Sequence, residues 1–319
     1  MHAPLQMRVR KHLLRFCVGV ILTTVTLQMV ISAEPATPSI DAGAPTKVAS
    51  VWPGRAPEWN APEAAETDTT GPTGGKVAGR RVIRLGNVSK PEIHIYEPKE
   101  KVSDTAILIA PGGGYSILAW DLEGTEIAEW LQELGITALV VKYRVPTRNE
   151  PEKWLAPVQD LQRSIAMLRN GGIEGLSPKH IGVLGFSAGG NASARVATAR
   201  QRFYEPVDDF DRGEIKPDFA ILVYPAWLVK NDDRSELIDE ISVNDQTPPM
   251  FFAHAADDRV TCMSSVTLFG HLATQEIPSA LHVFASGGHG FGGRQAGNAT
   301  DTWPSLCEDW MRSQNWIAK

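Results

Sequence analysis

The sequence predicts an α/β domain, a mostly parallel sheet with helices packed on both faces. Two observations predict it. From about residue 81 onward, short apolar runs of strand length alternate with amphipathic runs of helical period. Glycine-rich turns that carry reactive residue types fall just after several of those strands, at their carboxyl ends, where open α/β sheets bind ligands. The length of 319 residues suits one such domain plus leading segments, and 43% apolar with 21% charged residues matches a globular protein with a core.

The first 33 residues read as a signal peptide. Arg8, Arg10, Lys11 and Arg15 precede the apolar run Phe16 to Val30, and Ile31-Ser32-Ala33 offers small residues for cleavage after Ala33. The alternative is a retained anchor. The run is interrupted by Thr23, Thr24, Thr26 and Gln28 and is short for ~30 Å of hydrocarbon. The expectation is therefore a secreted or periplasmic chain with no stable membrane span once mature. Cys17 leaves with the signal, and Cys262 with Cys307 form an even pair that an oxidising compartment would allow to bond.

Residues 34–80, rich in Pro, Ala, Thr and Gly, read as an N-terminal arm or linker. Within them, Val51 to Pro57 is the part expected to lie against the domain. The catalytic domain is expected over 81–319. Its strands are expected at Ile93 to Tyr96, Thr105 to Ala110, Thr137 to Tyr143, Ile181 to Leu184, Phe219 to Tyr224, Met250 to Ala253 and Leu281 to Phe284. Helices are expected at Glu123 to Leu134, where Ile127, Trp130, Leu131 and Leu134 share a face and Gly135 suits the end, and at Val158 to Leu168 and Ala188 to Ala199. Two more are expected near 263–274 and 303–313. A net charge of −6 argues against nucleic acid as partner, and no internal repeat points to a solenoid or propeller.

Gly185-Phe186-Ser187-Ala188-Gly189 matches G-x-S-x-G between an apolar strand and an Ala-rich helix. That turn holds a serine hydroxyl on a strained backbone at a helix N-terminus, the requirement for an acyl-transfer nucleophile. The plain alternative is a Ser-Gly turn without chemistry. Pro111-Gly112-Gly113-Gly114-Tyr115 follows a central strand and can aim backbone N–H groups at an oxyanion. Gly113 is the first choice of donor, Gly114 the next, and the amide of Ala188 the partner. Neither the dinucleotide G-x-G-x-x-G nor a P-loop lysine accompanies the run.

A general base must reach the serine, and His289, in Gly287-Gly288-His289-Gly290-Phe291-Gly292, sits in a glycine-rich loop just past a strand. His94, His180, His271 and His282 lie in or beside strands and helices, and His254 reads as structural. The acid that orients the base comes from Asp257-Asp258. Either fits, and Asp258 is preferred because the fourth position after a strand-ending His usually carries the acid in folds of this kind. The chain order Ser187, Asp258, His289 is that of one triad fold. No H-E-x-x-H or comparable spacing calls for a metal, and no cofactor is expected.

With these residues assembled, the chain resembles α/β-hydrolase esterases related to bacterial feruloyl and acetylxylan esterases, over roughly residues 50–315. Trp52-Pro53-Gly54-Arg55-Ala56-Pro57, the glycine run, the elbow, His254-Ala255-Ala256-Asp257-Asp258 and the His289 loop carry the resemblance. It implies an α/β-hydrolase fold, the triad above, and esters of plant-polysaccharide sugars as substrates, while the short connections between elements predict no large cap domain. Many such relatives have His where this chain has Pro111, which cannot brace the loop through a side-chain contact. Tyr115 and Trp120 are candidates to line the substrate site, with core packing the alternative. Tyr143-Arg144 with Asp160 read as scaffold. The function expected is removal of short acyl groups through an acyl-enzyme. A single-domain serine peptidase of prolyl-oligopeptidase type and an inactive hydrolase-fold binding protein are the alternatives.

Overall fold

The computed structural model describes residues 43–57 and 59–318. The expected signal segment at 1–33, its Cys17 and the first part of the arm lie outside them.

Eight strands form one sheet: β1 (Lys47–Ser50), β2 (Glu92–Tyr96), β3 (Thr105–Ala110), β4 (Thr137–Lys142), β5 (His180–Phe186), β6 (Phe219–Val223), β7 (Met250–Ala255) and β8 (Ala280–Phe284). Their spatial order is β1-β2-β4-β3-β5-β6-β7-β8. β2 runs antiparallel to β1 and β4, and every other pairing is parallel. All residues of β3, β4, β6 and β7 are buried, so each reads as a continuous apolar run rather than an alternation.

Successive side chains of a strand still point to opposite faces. Ala106, Leu108 and Ala110 face a core with α2 (Leu155–Arg169), α3 (Ser187–Thr198) and α4 (Met263–Thr274). Ile107 and Ile109 face a second core closed by α1 (Glu126–Glu133) and α5 (Trp303–Ser313). Helices therefore cover both faces, as expected. A π-helical turn at Asp121–Thr125 precedes α1 and buries Glu123, inside the span expected to be ordinary helix.

The boundary expected at residue 81 is not a boundary in the structure. β1 lies within the expected linker and pairs with β2 from Lys47↔Ile95 to Ser50↔Glu92. Val51, Trp52, Ala56 and Trp59 are buried. The Trp52 indole donates to Asp160 Oδ1 at 2.7 Å and meets Tyr204 edge-on. Thr67–Asp68 joins Arg84–Gly86 and Leu118–Ala119 in a three-stranded sheet. The composition of 34–80 lacks periodic apolar residues, but isolated anchors dock it, and periodicity does not register isolated anchors.

Arg144 and Asp160 are fully buried and paired at 3.0 Å, with further Arg144 bonds to the Pro57 and Ala156 carbonyls and the Gln159 amide oxygen. The pair is thus a scaffold that ties β4, α2 and the N-terminal segment together. Cys262 and Cys307 are free thiols, the latter buried, so the allowed disulfide is not formed. Among the described residues, no helix is long and apolar enough to cross a membrane.

Candidate active site

The site is set by parallel register. Gly185 pairs with Ala110 across β5 and β3, so the turns leaving both strands emerge side by side. One carries Ser187, the other the glycine run. Ser187 is the first residue of α3 and holds φ +50°, a left-handed conformation that a non-glycine residue adopts at a cost of order 1–3 kcal/mol. Gly189 makes the approach feasible: a Cβ there would meet the Ala110 carbonyl oxygen at 2.0 Å.

Asp258 follows β7 and His289 follows β8, three strand spacings of about 4.8 Å each from β5. The loop after β8 bridges that gap. Ser187 Oγ lies 2.8 Å from His289 Nε2, and His289 Nδ1 lies 2.7 Å from Asp258 Oδ2. An ionised Asp258 can only accept, so Nδ1 carries the ring proton and Nε2 is free to accept from the serine hydroxyl. Asp257, the alternative acid, instead accepts the Gly288 N–H at 2.8 Å and so helps hold the His289 loop.

Burial pushes the Asp258 carboxyl up, but hydrogen bonds from His254, His289 and the Val260 N–H outweigh it and hold the group well below the usual carboxylate range. His254 is fully buried and its Nε2 faces two acceptors, Asp258 Oδ2 and the Val260 carbonyl, both at 3.1 Å. Its Nε2 must therefore be protonated, leaving Nδ1 to accept from the Ser265 hydroxyl at 2.8 Å. Thus His254, read as structural, supports the acid directly.

The glycine loop is braced without a histidine. The Tyr143 hydroxyl donates to the Pro111 carbonyl, and the Gly112 N–H donates to Glu123 Oε2 at 2.7 Å. Because the Gly112 amide is occupied, the amides left for an incoming oxygen are those of Gly113 and Gly114, together with that of Ala188 at the start of α3. Gly113 sits at φ +133° with the Ile117 carbonyl packed where a Cβ would be, so no other residue fits there. Tyr224, at the end of β6, donates to Glu123 Oε1 at 2.9 Å, accepts the Gly292 N–H at 2.9 Å and meets the His289 ring edge-on at 5.0 Å. Burial raises the Glu123 carboxyl above its ordinary value against these hydrogen bonds.

Above these groups lies a cleft of about 560 Å³ whose lining includes Ser187, His289, Gly113, Gly114, Ile117 and Trp227. Tyr115 and Trp120 do not line it. Tyr115 is fully buried and its hydroxyl donates to Asn191 Oδ1 at 2.9 Å. Trp120 packs edge-on against His94 between the two cores. Following a glycine loop in sequence does not fix which way a ring turns, and here both turn inward. Sequence reasoning missed Glu123, Tyr224, Trp227, Arg148, Arg84 and Arg259. Each is a single residue outside any motif, and no pattern could have singled it out. Among the described residues, no group of three or more His, Cys, Asp or Glu side chains is placed to hold a metal ion.

Comparison with known proteins places the chain among relatives. The chain is 27% identical over 243 residues to an acetylxylan esterase of Xylanibacter ruminicola, covering 68% of this chain and 47% of that protein. It is 26% identical over 219 residues to endo-1,4-beta-xylanase B of Butyrivibrio fibrisolvens, covering 63% of this chain and 34% of that one. This chain thus spans less than half the length of either relative. Among solved structures, an acetyl ester-xyloside bifunctional hydrolase from Caldicellulosiruptor lactoaceticus superposes with a TM-score of 0.63 at 24% identity, covering 86% of this chain and 98% of that one. That likeness speaks to the fold. The sequence profile of the alpha/beta hydrolase fold matches residues 107–287, more than half of the chain, and includes the elbow, the glycine run and both aspartates. The chain belongs to the α/β-hydrolase family.

Proposed function

We propose that this chain is an exported serine carboxylic-ester hydrolase that removes short acyl groups, acetyl foremost, from plant-polysaccharide sugars. The observation that carries the reading is the continuous chain of short hydrogen bonds from Ser187 through His289 to Asp258, beside amides free to receive an oxyanion. His289 Nε2 takes the serine proton as Oγ attacks the ester carbonyl. The oxyanion is received by the Gly113 and Ala188 amides, with Gly114 adjacent. The bond to the alcohol breaks as His289 returns the proton to it, and water then cleaves the acyl-enzyme by the same steps.

Similarity to an acetylxylan esterase supports the choice of acyl group and alcohol. The basic, apolar and small residues in order over residues 8–33 support export. An inactive scaffold has no need to hold Ser187 in a strained conformation within reach of a base.

The test is hydrolysis of p-nitrophenyl acetate and acetylated xylan by the purified protein and by Ser187→Ala. The wild type is expected to cleave both and to be labelled at Ser187 by a fluorophosphonate. The variant should lose about 10³-fold or more in kcat and escape labelling. A variant as active as the wild type would end the reading.

A further inference from the structure

Arg148 and Lys153 converge on one indole beside the proposed nucleophile. The Arg148 guanidinium carbon lies 4.5 Å from the Trp227 ring centroid and the Lys153 ammonium 4.0 Å. An indole attracts a cation, which explains each placement singly. It does not offset the repulsion between two cations held on one ring. Burial, and the Arg148 and Arg195 guanidiniums nearby, hold the Lys153 ammonium below the usual lysine range. Among the described residues, neither Arg148 nor Lys153 has a carboxylate at ion-pair distance. Among the described residues, the buried Arg144, Arg163, Arg195 and Arg294 each have at least one carboxylate at ion-pair distance. Among the described residues, Arg84 and Arg259 likewise have no carboxylate at ion-pair distance, and both line the cleft with Arg148. The chain as a whole carries a net charge of −6, yet three arginines, Arg84, Arg148 and Arg259, line the cleft beside the buried carboxyl of Glu123.

The group is built on the catalytic frame. Trp227 holds φ +56°, a strained backbone, and its carbonyl accepts from Asn191 Nδ2 at 3.2 Å. Asn191 stands on α3, one turn past Ser187, and also receives the Tyr115 hydroxyl. Arg148 reaches the glycine loop itself, donating to the Gly114 carbonyl at 3.3 Å.

We propose that Arg148 and Lys153, on Trp227, form a carboxylate-binding subsite, so that the preferred ester carries a negative charge close to the scissile bond. The proposal rests on the esterase reading and specifies the substrate class of that site. A carboxylate can reach the subsite from the alcohol side, as a uronic acid within the polysaccharide, or from the acyl side, as the free end of a dicarboxylic half-ester. Either supplies the missing counter-charge and accepts charge-assisted hydrogen bonds from both cations.

Binding to the Ser187→Ala protein tests the subsite without any need for turnover. The ligands are a uronic-acid-substituted acetylated xylo-oligosaccharide, its carboxyl-reduced neutral twin, and a hemisuccinate ester of the neutral oligosaccharide, titrated calorimetrically at low and high salt. At least one charged ligand should bind about tenfold or more tightly than the neutral twin, with the advantage shrinking as salt rises. The uronic acid prevailing assigns the charge to the sugar, and the hemisuccinate prevailing assigns it to the acyl group. Arg148→Gln with Lys153→Gln, both in the Ser187→Ala background, should level the charged and neutral affinities while the melting temperature reports that the fold is kept. Lys153→Glu alone, which sets a carboxylate beside Arg148 and leaves the pair without net charge, should abolish the preference. Equal affinity for all three ligands, or an advantage that survives Arg148→Gln with Lys153→Gln, would overturn the proposal. A wild-type protein that cleaves no ester while this advantage is present would sink the esterase reading and leave the subsite standing.

Discussion

Glu123 occupies the position from which a loop of backbone amides can be held in place. Its two carboxylate oxygens receive the Gly112 N–H and the Tyr224 hydroxyl, and it is buried. Truncating it leaves the Gly112 amide buried without a partner, worth about 1–3 kcal/mol. Where that loss falls on the transition state, it corresponds to a kcat lower by roughly 10–100-fold. Steady-state kinetics of Glu123→Ala should therefore show kcat falling more than KM changes. Glu123→Gln, which keeps one acceptor and can donate to the Tyr224 oxygen, should retain most of the rate. At Asp258 the folded state binds a proton less readily than the unfolded chain. The stabilisation is therefore present above the ordinary carboxylate range, near ~3.9, and is lost as pH falls through the lower folded value. Urea unfolding from pH 7 down to pH 2.5 should show Asp258→Asn less stable than the wild type at neutrality, with the gap closing in acid. Ser187, Asp258 and His289 were readable in the sequence because each stands in a motif at a strand end. For Tyr115 and Trp120 the sequence leaves substrate site and core both open, because the same motif says nothing about side-chain direction, and the structure gives the core.

At the scale of elements, the N-terminal segment is fastened by charge buried behind the sheet. Asp160 takes hydrogen bonds from the Trp52 indole, the Arg144 backbone and the Arg144 guanidinium. Arg144→Met removes the cation and leaves a carboxylate in the core, an uncompensated charge that costs about 3–5 kcal/mol. Chemical denaturation should show that loss, and quenching of Trp52 should report the segment loosening. Asp160→Asn in the Arg144→Met background should recover part of it. The strands and helices from β2 onward were legible because their apolar residues repeat with period 2 or 3.6, or run unbroken through a buried strand. β1 was not, since Lys47 to Ser50 carries one half-buried residue and draws its pairing from β2 rather than from its own composition. The π-helical turn at Asp121–Thr125 was equally hidden, because it buries a glutamate for the sake of a loop residue eleven positions away.

For the molecule as a whole, cohesion comes from the two cores and the register of the sheet, without a covalent cross-link between Cys262 and Cys307. Burial raises the Cys307 thiol well above its ordinary value, which leaves it protonated and unreactive. Dithiothreitol should therefore leave the melting temperature unchanged, and a thiol reagent should modify Cys307 only after unfolding. The Tyr224 phenol gives the molecule a different kind of link. It is bonded at once to the carboxyl that steadies the glycine run and to the loop that bears the imidazole. Those two segments leave the sheet at β3 and β8, far apart in the chain, yet they share one oxygen atom. Through that atom the Glu123 carboxyl beneath the glycine run and the loop bearing His289 brace each other.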